Sequence, residues 1–337
     1  MIDSLQIVPI AVVGFMTALA MTPVARQIAM RLGVLAIPNN RTIHAGNKPL
    51  MGGLAIYTGL VVALLLFTPP KFMIEFGAVL AGATFMALIG LLDDRYSLGI
   101  RSRFIAAGVA GAVVMASGIS FHFTNIWLID APLTVFWIMA LTNAVNFQDN
   151  MDGLAAGMSS IAAAFFLLIA LSQGLILVSL LAAAVMGSAV GFLAYNFAPS
   201  STFMGDMGAL MLGFLLAVLG IKIDMIQPPL EASWLVPVLV MWLPAFDINL
   251  VIFTRISEGR SPGQAGRDHT SHRLMSLGWG HRKVLFTLYS TCALFGLAGL
   301  ALSASQSWLF AALMVGLIAL LYLLAARIRR DFQKTTG

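Results

Sequence analysis

Three acidic patches in this sequence stand where an apolar run stops or starts. Asp93 and Asp94 close one run in Gly90-Leu91-Leu92-Asp93-Asp94-Arg95, Asp149 and Asp152 separate two others, and Asp206 opens a fourth in Phe203-Met204-Gly205-Asp206-Met207-Gly208. Carboxylates gathered from different helices repel one another unless a cation holds them, and an all-oxygen donor set suits Mg²⁺ or Mn²⁺ rather than a softer metal. That combination is the usual clamp for phosphate chemistry. Beside it, Asn143, Asn146 and Asp149 or Asn150 recur at helical spacing, so they share one face of a helix end. Polar amides at that depth are costly toward lipid and should face a water-filled cavity or one another. Each feature also has a plain reading: amides can join helices, and Asp152 or Asp206 can serve as an N-cap. The chemical reading gains because all three acidic helix ends fall on one side of the chain's topology.

A second group lies further on: Arg255, Arg260, Arg267, Asp268, His269, His272 and Arg273. Guanidinium groups are good phosphate ligands. A loop that only sets orientation would explain the arginines but not His269-Thr270-Ser271-His272, and a zinc pair would want ligands this loop lacks. Binding or positioning of a phosphate or sugar is the favoured reading.

The elements that must position these residues are apolar helices. Of 337 residues, 60% are hydrophobic and 10% charged, whereas a soluble domain carries about 25% charged residues. Windows of about 20 apolar residues, each enough for a bilayer core, recur near 5–24, 50–69, 74–92, 104–120, 131–147, 153–172, 174–195, 207–221, 233–253, 284–304 and 307–326. The expected fold is all-α: one polytopic membrane domain over 1–337 with eleven transmembrane helices and a longer loop near 254–283. Alternating the loops puts 17 of the 19 Lys and Arg residues on one side, leaving only Lys71 and Lys222 on the other. That bias makes the basic side cytoplasmic, with the N-terminus outside and the C-terminus inside. The net charge of +5 therefore reflects topology, and no nucleic acid is expected. Cys292 is the single cysteine, which excludes a disulfide framework. Trp127, Trp137, Trp234 and Trp308 read as anchors at the membrane interface.

Taken together these residues resemble the polyprenyl-phosphate N-acetylhexosamine-1-phosphate transferases (glycosyltransferase family 4), which include phospho-MurNAc-pentapeptide translocase and the undecaprenyl-phosphate GlcNAc-1-phosphate transferases. Arg41-Thr42-Ile43-His44 with Lys48-Pro49-Leu50-Met51-Gly52-Gly53 is similar to the family's first cytoplasmic loop, and Leu92-Asp93-Asp94-Arg95 to its paired aspartates. Asn143 to Gly157 resembles its Asn-rich Asp-Gly motif, and Phe203 to Gly208 its Gly-Asp-x-Gly motif. The order and spacing of the four make the set specific.

The resemblance implies a multi-pass enzyme of the cytoplasmic (inner) membrane whose active site faces the cytoplasm. It would move a sugar 1-phosphate from a cytosolic UDP-N-acetylhexosamine to polyprenyl phosphate, releasing UMP and starting a cell-envelope polysaccharide. By this likeness Asp93, Asp94 and Asp206 are catalytic, with Asp206 and Asn146 as ligands of Mg²⁺, or of Mn²⁺ in its place. Asp94 would serve the metal water or the phosphate, and Asp93 would accept a proton from the lipid phosphate or position it. Asp149 and Asp152 would hold the uridine, and Phe203 would stack on uracil. Lys48, Arg103, Asn143, His269, His272 and Arg273 complete the substrate-binding set. Direct attack of the lipid phosphate and a two-step route through an aspartyl phosphate both fit, and a homodimer is compatible with this reading.

The chain departs from the family pattern twice. The late histidine motif commonly has a third histidine where this loop reads His269-Thr270-Ser271-His272, and Asp149 is followed by Asn150-Met151 where Gly-Leu is common. The altered loop turns the expectation away from a MurNAc-pentapeptide donor toward a simple UDP-N-acetylhexosamine of GlcNAc type. The CDP-alcohol phosphotransferases are a poorer match, because Asp152-Gly153 runs into an apolar helix without their further aspartates. An ion-coupled transporter using these aspartates is the alternative from another class, but it would want ionisable groups near the bilayer midplane and access from both sides.

Overall fold

A computed structural model describes residues 7–36, 48–224, 234–263, 266–305 and 307–336, with residue 224 and residues 323–336 as backbone alone. Among the described residues the chain forms thirteen α-helices: α1 (Ile7–Leu32), α2 (Gly52–Phe67), α3 (Met73–Tyr96), α4 (Ile100–Ala116), α5 (Trp127–Gln148), α6 (Leu154–Ser172), α7 (Ile176–Asn196), α8 (Gly205–Asp224), α9 (Leu235–Val240), α10 (Trp242–Ser257), α11 (Thr270–Ser276), α12 (His281–Ser305) and α13 (Trp308–Thr336). Two short antiparallel strands, β1 (Leu35–Ala36) and β2 (Lys48–Pro49), pair Leu35 with Pro49 and Ala36 with Lys48. Seven helices are long and apolar enough to cross a membrane, and two more, Gly52–Phe67 and Trp308–Tyr322, are apolar but shorter. The chain is a polytopic, all-helical membrane protein.

The packing has a centre. α8 is enclosed, with 94% of its apolar window buried, because α3, α5, α2 and α6 all pack against it. α1, α2 and α7 form one flank, and α12 joins α6 to α9 on the other. The outward faces carry large exposed apolar residues such as Val8, Ile74, Leu128, Phe136, Phe253 and Leu294, which is the expected finish for helices whose solvent is lipid rather than water.

Each expected apolar window is occupied by a helix, with instructive shifts. α1 continues beyond the expected stop at 24 to Leu32, so Arg26 and Arg31 ride on the helix itself. The ninth window is two helices rather than one. Pro244 has no N–H to donate to the carbonyl of Val240, and the chain breaks between α9 and α10 at Met241, whose own N–H still reaches Pro237 O at 2.9 Å. α11 is an unexpected helix inside the basic loop. Trp137 is not an interface anchor: its indole N–H donates to Ala217 O of α8 at 3.1 Å, and its ring meets Phe121 edge-on. Trp127 and Trp308, by contrast, are largely exposed.

Candidate active site at the helix ends

The C-terminal ends of α3 and α5 and the N-terminal end of α8 converge, and missing side chains make the convergence possible. A Cβ at Gly90 would lie 2.3 Å from Asp206 O, and one at Gly53 would lie 2.3 Å from the backbone nitrogen of Gly208. The Lys48 to Gly53 segment runs alongside Phe203–Met204 like an added strand. Phe203 N donates to Pro49 O (2.8 Å), Gly52 N to Phe203 O (2.9 Å) and Gly53 N to Met204 O (2.8 Å). Thus two motifs 150 residues apart in the chain form one backbone-paired wall. Arg41, Thr42, Ile43 and His44 lie outside the described residues.

The acidic centre follows from that wall. Gly205 starts α8 with φ +73°, in the left-handed region, and a Cβ there would lie 2.5 Å from Asp94 Oδ2. Asp94, reaching over from α3, accepts the backbone N–H groups of Asp206 (2.9 Å) and Met207 (3.1 Å). The N-terminus of α8 is therefore capped by a carboxylate from another helix, and Asp206 is left for other partners. Asp206 Oδ1 accepts from Asn146 Nδ2 at 2.6 Å. Arg103 of α4 joins the group: its Nη1 donates to Asn146 Oδ1 at 2.8 Å, its Nη2 stands 3.5 Å from Asp206 Oδ2, and its Nε pairs with Asp93 Oδ2. The Asp93 side chain is 1% exposed, and its Oδ1 accepts no hydrogen bond. Asp149 follows the end of α5. Burial, then the charges of Asp206 and Asp152, push its carboxyl up from 3.8 to about 7, although the N–H of Gly205 favours the ionised form.

A second set adjoins this centre. Lys48 Nζ donates to Ser200 Oγ (2.9 Å), lies 3.6 Å from Asp152 Oδ2, and stands over the ring of Phe203 at 4.8 Å from its centroid. Asp152 Oδ2 also accepts the Ser200 N–H at 2.9 Å. Behind it, Asn196 links Gly153 N (3.1 Å) to Thr202 O (3.0 Å), fixing the α5–α6 corner against the segment that enters α8.

The third set stands on α11. His269 Nδ1 is 2.7 Å from Asp247 Oδ2, and the N–H and hydroxyl of Thr270 both donate to Asp247 Oδ1 at 2.6 Å. The His269 ring lies edge-on to Phe147 with centroids 6.0 Å apart, and at the same separation from His272. Burial, then the charges of His269 and Arg267, lower the His272 pKa, so near neutral pH it offers a hydrogen bond rather than a charge. Arg273 Nε donates to Asp268 O (2.7 Å) and its Nη2 to Thr254 Oγ1 (2.6 Å). Arg255 and Arg260 are engaged with Asp268.

The structure thus gathers Asp93, Asp94, Arg103, Asn146, Asp149 and Asp206 into one centre, sets Lys48, Asp152 and Phe203 beside it, and carries His272 and Arg273 on α11 with His269 immediately before it. Asn143 stands apart, one turn deeper in α5, where its Nδ2 donates to Met139 O at 2.8 Å and its buried Oδ1 is unpartnered. Sequence reasoning gave no role to Asp247 or Asn196, and named Asn150 only as an alternative to Asp149 and Ser271 only within the His269 to His272 run. Asp247 carried a usable signal, since an ionisable residue inside an apolar run is a functional candidate by default.

Comparison with known proteins agrees with this geometry. Residues 76–224, from α3 to the end of α8, match glycosyl transferase family 4. The chain is 32% identical over 318 residues to the probable undecaprenyl-phosphate N-acetylglucosaminyl 1-phosphate transferase of Bacillus subtilis (strain 168), covering 90% of this chain and 87% of that protein. It is 30% identical to the decaprenyl-phosphate N-acetylglucosaminephosphotransferase of Mycobacterium leprae, over 83% of this chain and 80% of the relative. It is 28% identical to the undecaprenyl-phosphate alpha-N-acetylglucosaminyl 1-phosphate transferase of Yersinia pestis, over 91% and 88%. With near-complete coverage of relatives at this identity, and the acidic centre inside the matched segment, the chain belongs to glycosyl transferase family 4.

Proposed function

We propose that this protein transfers N-acetylglucosamine 1-phosphate from UDP-N-acetylglucosamine to a polyprenyl phosphate, giving the polyprenyl-diphosphate sugar and UMP. The observation that carries the reading is the convergence of Asp93, Asp94, Asn146 and Asp206 from three helix ends around the Arg103 guanidinium, in a chain whose relatives bear that activity in their names. In this reading eleven helical crossings, with the α9–α10 pair counted as one, place the N-terminus outside and the acidic centre at the cytoplasmic face of the inner membrane. The polar donor arrives from the cytosol, and the lipid phosphate lies at the same depth.

An oxygen on the lipid phosphate attacks the phosphorus that bears the sugar, and the bond from that phosphorus to the UMP oxygen breaks. Both partners are anionic, so approach requires positive charge. Arg103 supplies some of it, already aimed at Asp93 and Asp206. Asp93, buried with one free acceptor oxygen, orients the lipid phosphate through Arg103 or takes its remaining proton; the second pKa of such a phosphate is about 6, so a strong base is unnecessary. Lys48, Phe203 and Asp152 form the nucleotide side, and His269, His272 and Arg273 the sugar and phosphate side. Direct attack suits this network better than an aspartyl phosphate, because both oxygens of Asp94 accept backbone N–H groups and Asp206 is held by Asn146 and Arg103.

The donor set fits a hard divalent cation. Five carboxylates, Asp93, Asp94, Asp149, Asp152 and Asp206, face two nearby cations, Lys48 and Arg103. Mg²⁺ takes one or two carboxylates and fills its shell with substrate phosphate and water. Asp206 and Asn146 would hold it, and it would neutralise the donor diphosphate and the leaving UMP.

The test uses purified protein with Mg²⁺, polyprenyl phosphate and a panel of UDP-sugars, measuring UMP release and lipid product for wild type and Asp206→Ala. Product with UDP-GlcNAc, lost in the variant and on chelation, is expected. No product with any donor, or an unimpaired variant, would overturn the assignment. The acids lie at helix ends rather than along a path through the bundle, which leaves the transporter alternative without structural support.

A further inference from the structure

The Arg103 guanidinium meets three helix ends with three different nitrogens. Its Nε pairs with Asp93 of α3, Nη1 donates to Asn146 Oδ1 of α5 at 2.8 Å, and Nη2 stands 3.5 Å from Asp206 Oδ2 of α8. The orientation of the Asn146 amide follows from its neighbours. Nδ2 donates to Asp206 Oδ1 at 2.6 Å, and a reversed amide would set its oxygen against that carboxylate and its N–H against the guanidinium. Asn146 therefore offers a cation one atom, Oδ1. Asp206 Oδ1 is engaged by the amide, which leaves Oδ2 as the oxygen that faces the arginine. These two oxygens are the ones that the Nη1–Nη2 fork covers. A cation bound to both, at about 2.0–2.1 Å from each, would lie against the positive charge of the guanidinium, so the fork and the cation exclude each other. Nε is placed differently. The Asp93 side chain that pairs with it is 1% exposed, and a carboxylate at that depth holds its partner firmly, because losing the partner would strand its charge. Arg103, whose side chain is 23% exposed, is thus anchored at one nitrogen and releasable at the other two.

We propose that Arg103 and a divalent cation compete for one pair of oxygens, Asn146 Oδ1 and Asp206 Oδ2. While the fork is seated on them it weakens cation binding. A phosphate that draws the fork away, with Nε still on Asp93, opens them. A guanidinium fork matches two phosphate oxygens in parallel hydrogen bonds, so a phosphate is a suitable second seat. Cation and phosphate then favour each other's binding through one side chain. Between substrates the same side chain keeps Asp93 and Asp206 partnered. The inference rests on the assignment of Asp206 and Asn146 to the cation in the reading above, and it makes Arg103 a competitor of the ion beside which it would act.

The test measures Mn²⁺ binding to the detergent-purified full-length protein, by loss of the free ion's electron paramagnetic resonance signal, with no donor or acceptor present. Mn²⁺ takes the same oxygen ligands as Mg²⁺. Arg103→Gln is expected to bind Mn²⁺ about tenfold more tightly than wild type, and the gain should vanish when Asp206→Ala is added. Lys48→Gln removes an equal charge near the centre without touching these oxygens, and should gain no more than about threefold. Because Arg103→Gln strands the Asp93 carboxylate, the double variant Asp93→Asn with Arg103→Gln guards against misfolding. It also leaves the net charge unchanged, so its expected gain of at least about threefold reports the uncovered oxygens themselves. Unchanged or weaker binding in Arg103→Gln or in the double variant, or an equal gain in Lys48→Gln, would overturn the competition. If neither wild type nor any variant binds Mn²⁺, the cation assignment and the proposal fall together, whereas binding that Arg103→Gln leaves unaltered removes the competition alone. Sugar transfer is not read in this experiment, so failure of the transferase reading stays distinguishable from failure of the competition.

Discussion

Asp149 and Asp268 are the same side chain in opposite company. Asp268 sits between two guanidinium groups, with Arg255 Nε at 2.9 Å from Oδ2 and Arg260 at 3.2 Å from Oδ2 and 2.8 Å from Oδ1. Partial burial works against its charge, but the arginines outweigh it and hold the carboxyl down at about 2. Asp149 meets burial and two further carboxylates, and is pushed up to about 7. In the basic loop the carboxylate is fully paired with cations, while in the acidic cleft Asp149 is not. A fold that can pair one carboxylate so fully and leaves its neighbours short of cations reserves that shortage for a ligand.

The contrast can be broken most severely at Asp206. Asp206→Ala should lower kcat by about a thousandfold or more, because the proposed reaction changes charge where that group would act, whereas Arg260→Ala in the loop should leave turnover within about twofold. Single-turnover formation of lipid product would measure both. Next comes Arg255, whose buried guanidinium also donates to Pro262 O at 2.6 Å. Arg255→Ala should cost about 3 kcal/mol of stability, visible as a lower melting temperature, and should spare the chemical step far more than Asp206→Ala does. Asp247→Asn removes the charge that fixes His269 but keeps the shape. It should raise KM for the donor about tenfold with little change in kcat, and an equal fall in kcat would instead put His269 in the transition state.

The smallest effect is in pH dependence, and the two carboxylates predict opposite slopes. The raised pKa of Asp149 means that the folded protein holds a proton the unfolded chain has lost, so this group's contribution to stability falls as pH rises from 3.8 to about 7. The depressed pKa of Asp268 gives a contribution fully present above 3.8 and lost as pH falls to about 2. Melting in detergent across these windows should show both trends for wild type, and Asp268→Asn should weaken only the acidic one. Millimolar Mg²⁺ should recover stability at pH 8 and have little effect at pH 5.

Much of this was legible in sequence because the bilayer imposes a coarse ruler: a run such as 153–172 has one plausible fate, and α6 occupies it. Helix ends beyond that ruler were not legible, since Arg26 and Arg31 extend α1 where hydropathy has already fallen. α11 escaped notice for a similar reason. It has seven residues and no apolar stripe, and it is held by Asp247 and Asn150 rather than by its own propensity. The carboxylates of the cleft announced themselves by type and position. The functions of their partners did not: that Asp94 would cap α8, or that Asn196 would tie the α5–α6 corner to Thr202, depends on which helix end meets which.

The capping of α8 by Asp94 has a further consequence. A helix N-terminus with free N–H groups is a natural seat for a phosphate, and in this protein that seat is permanently taken by one of the chain's own carboxylates. In the proposed reaction an incoming phosphate would find a resident competitor at 2.9 and 3.1 Å and would have to seek its positive charge at the Arg103 guanidinium instead. On that reading Asp94 would act as a built-in decoy anion, steering by occupancy instead of contact and keeping a good binding position from becoming the wrong one.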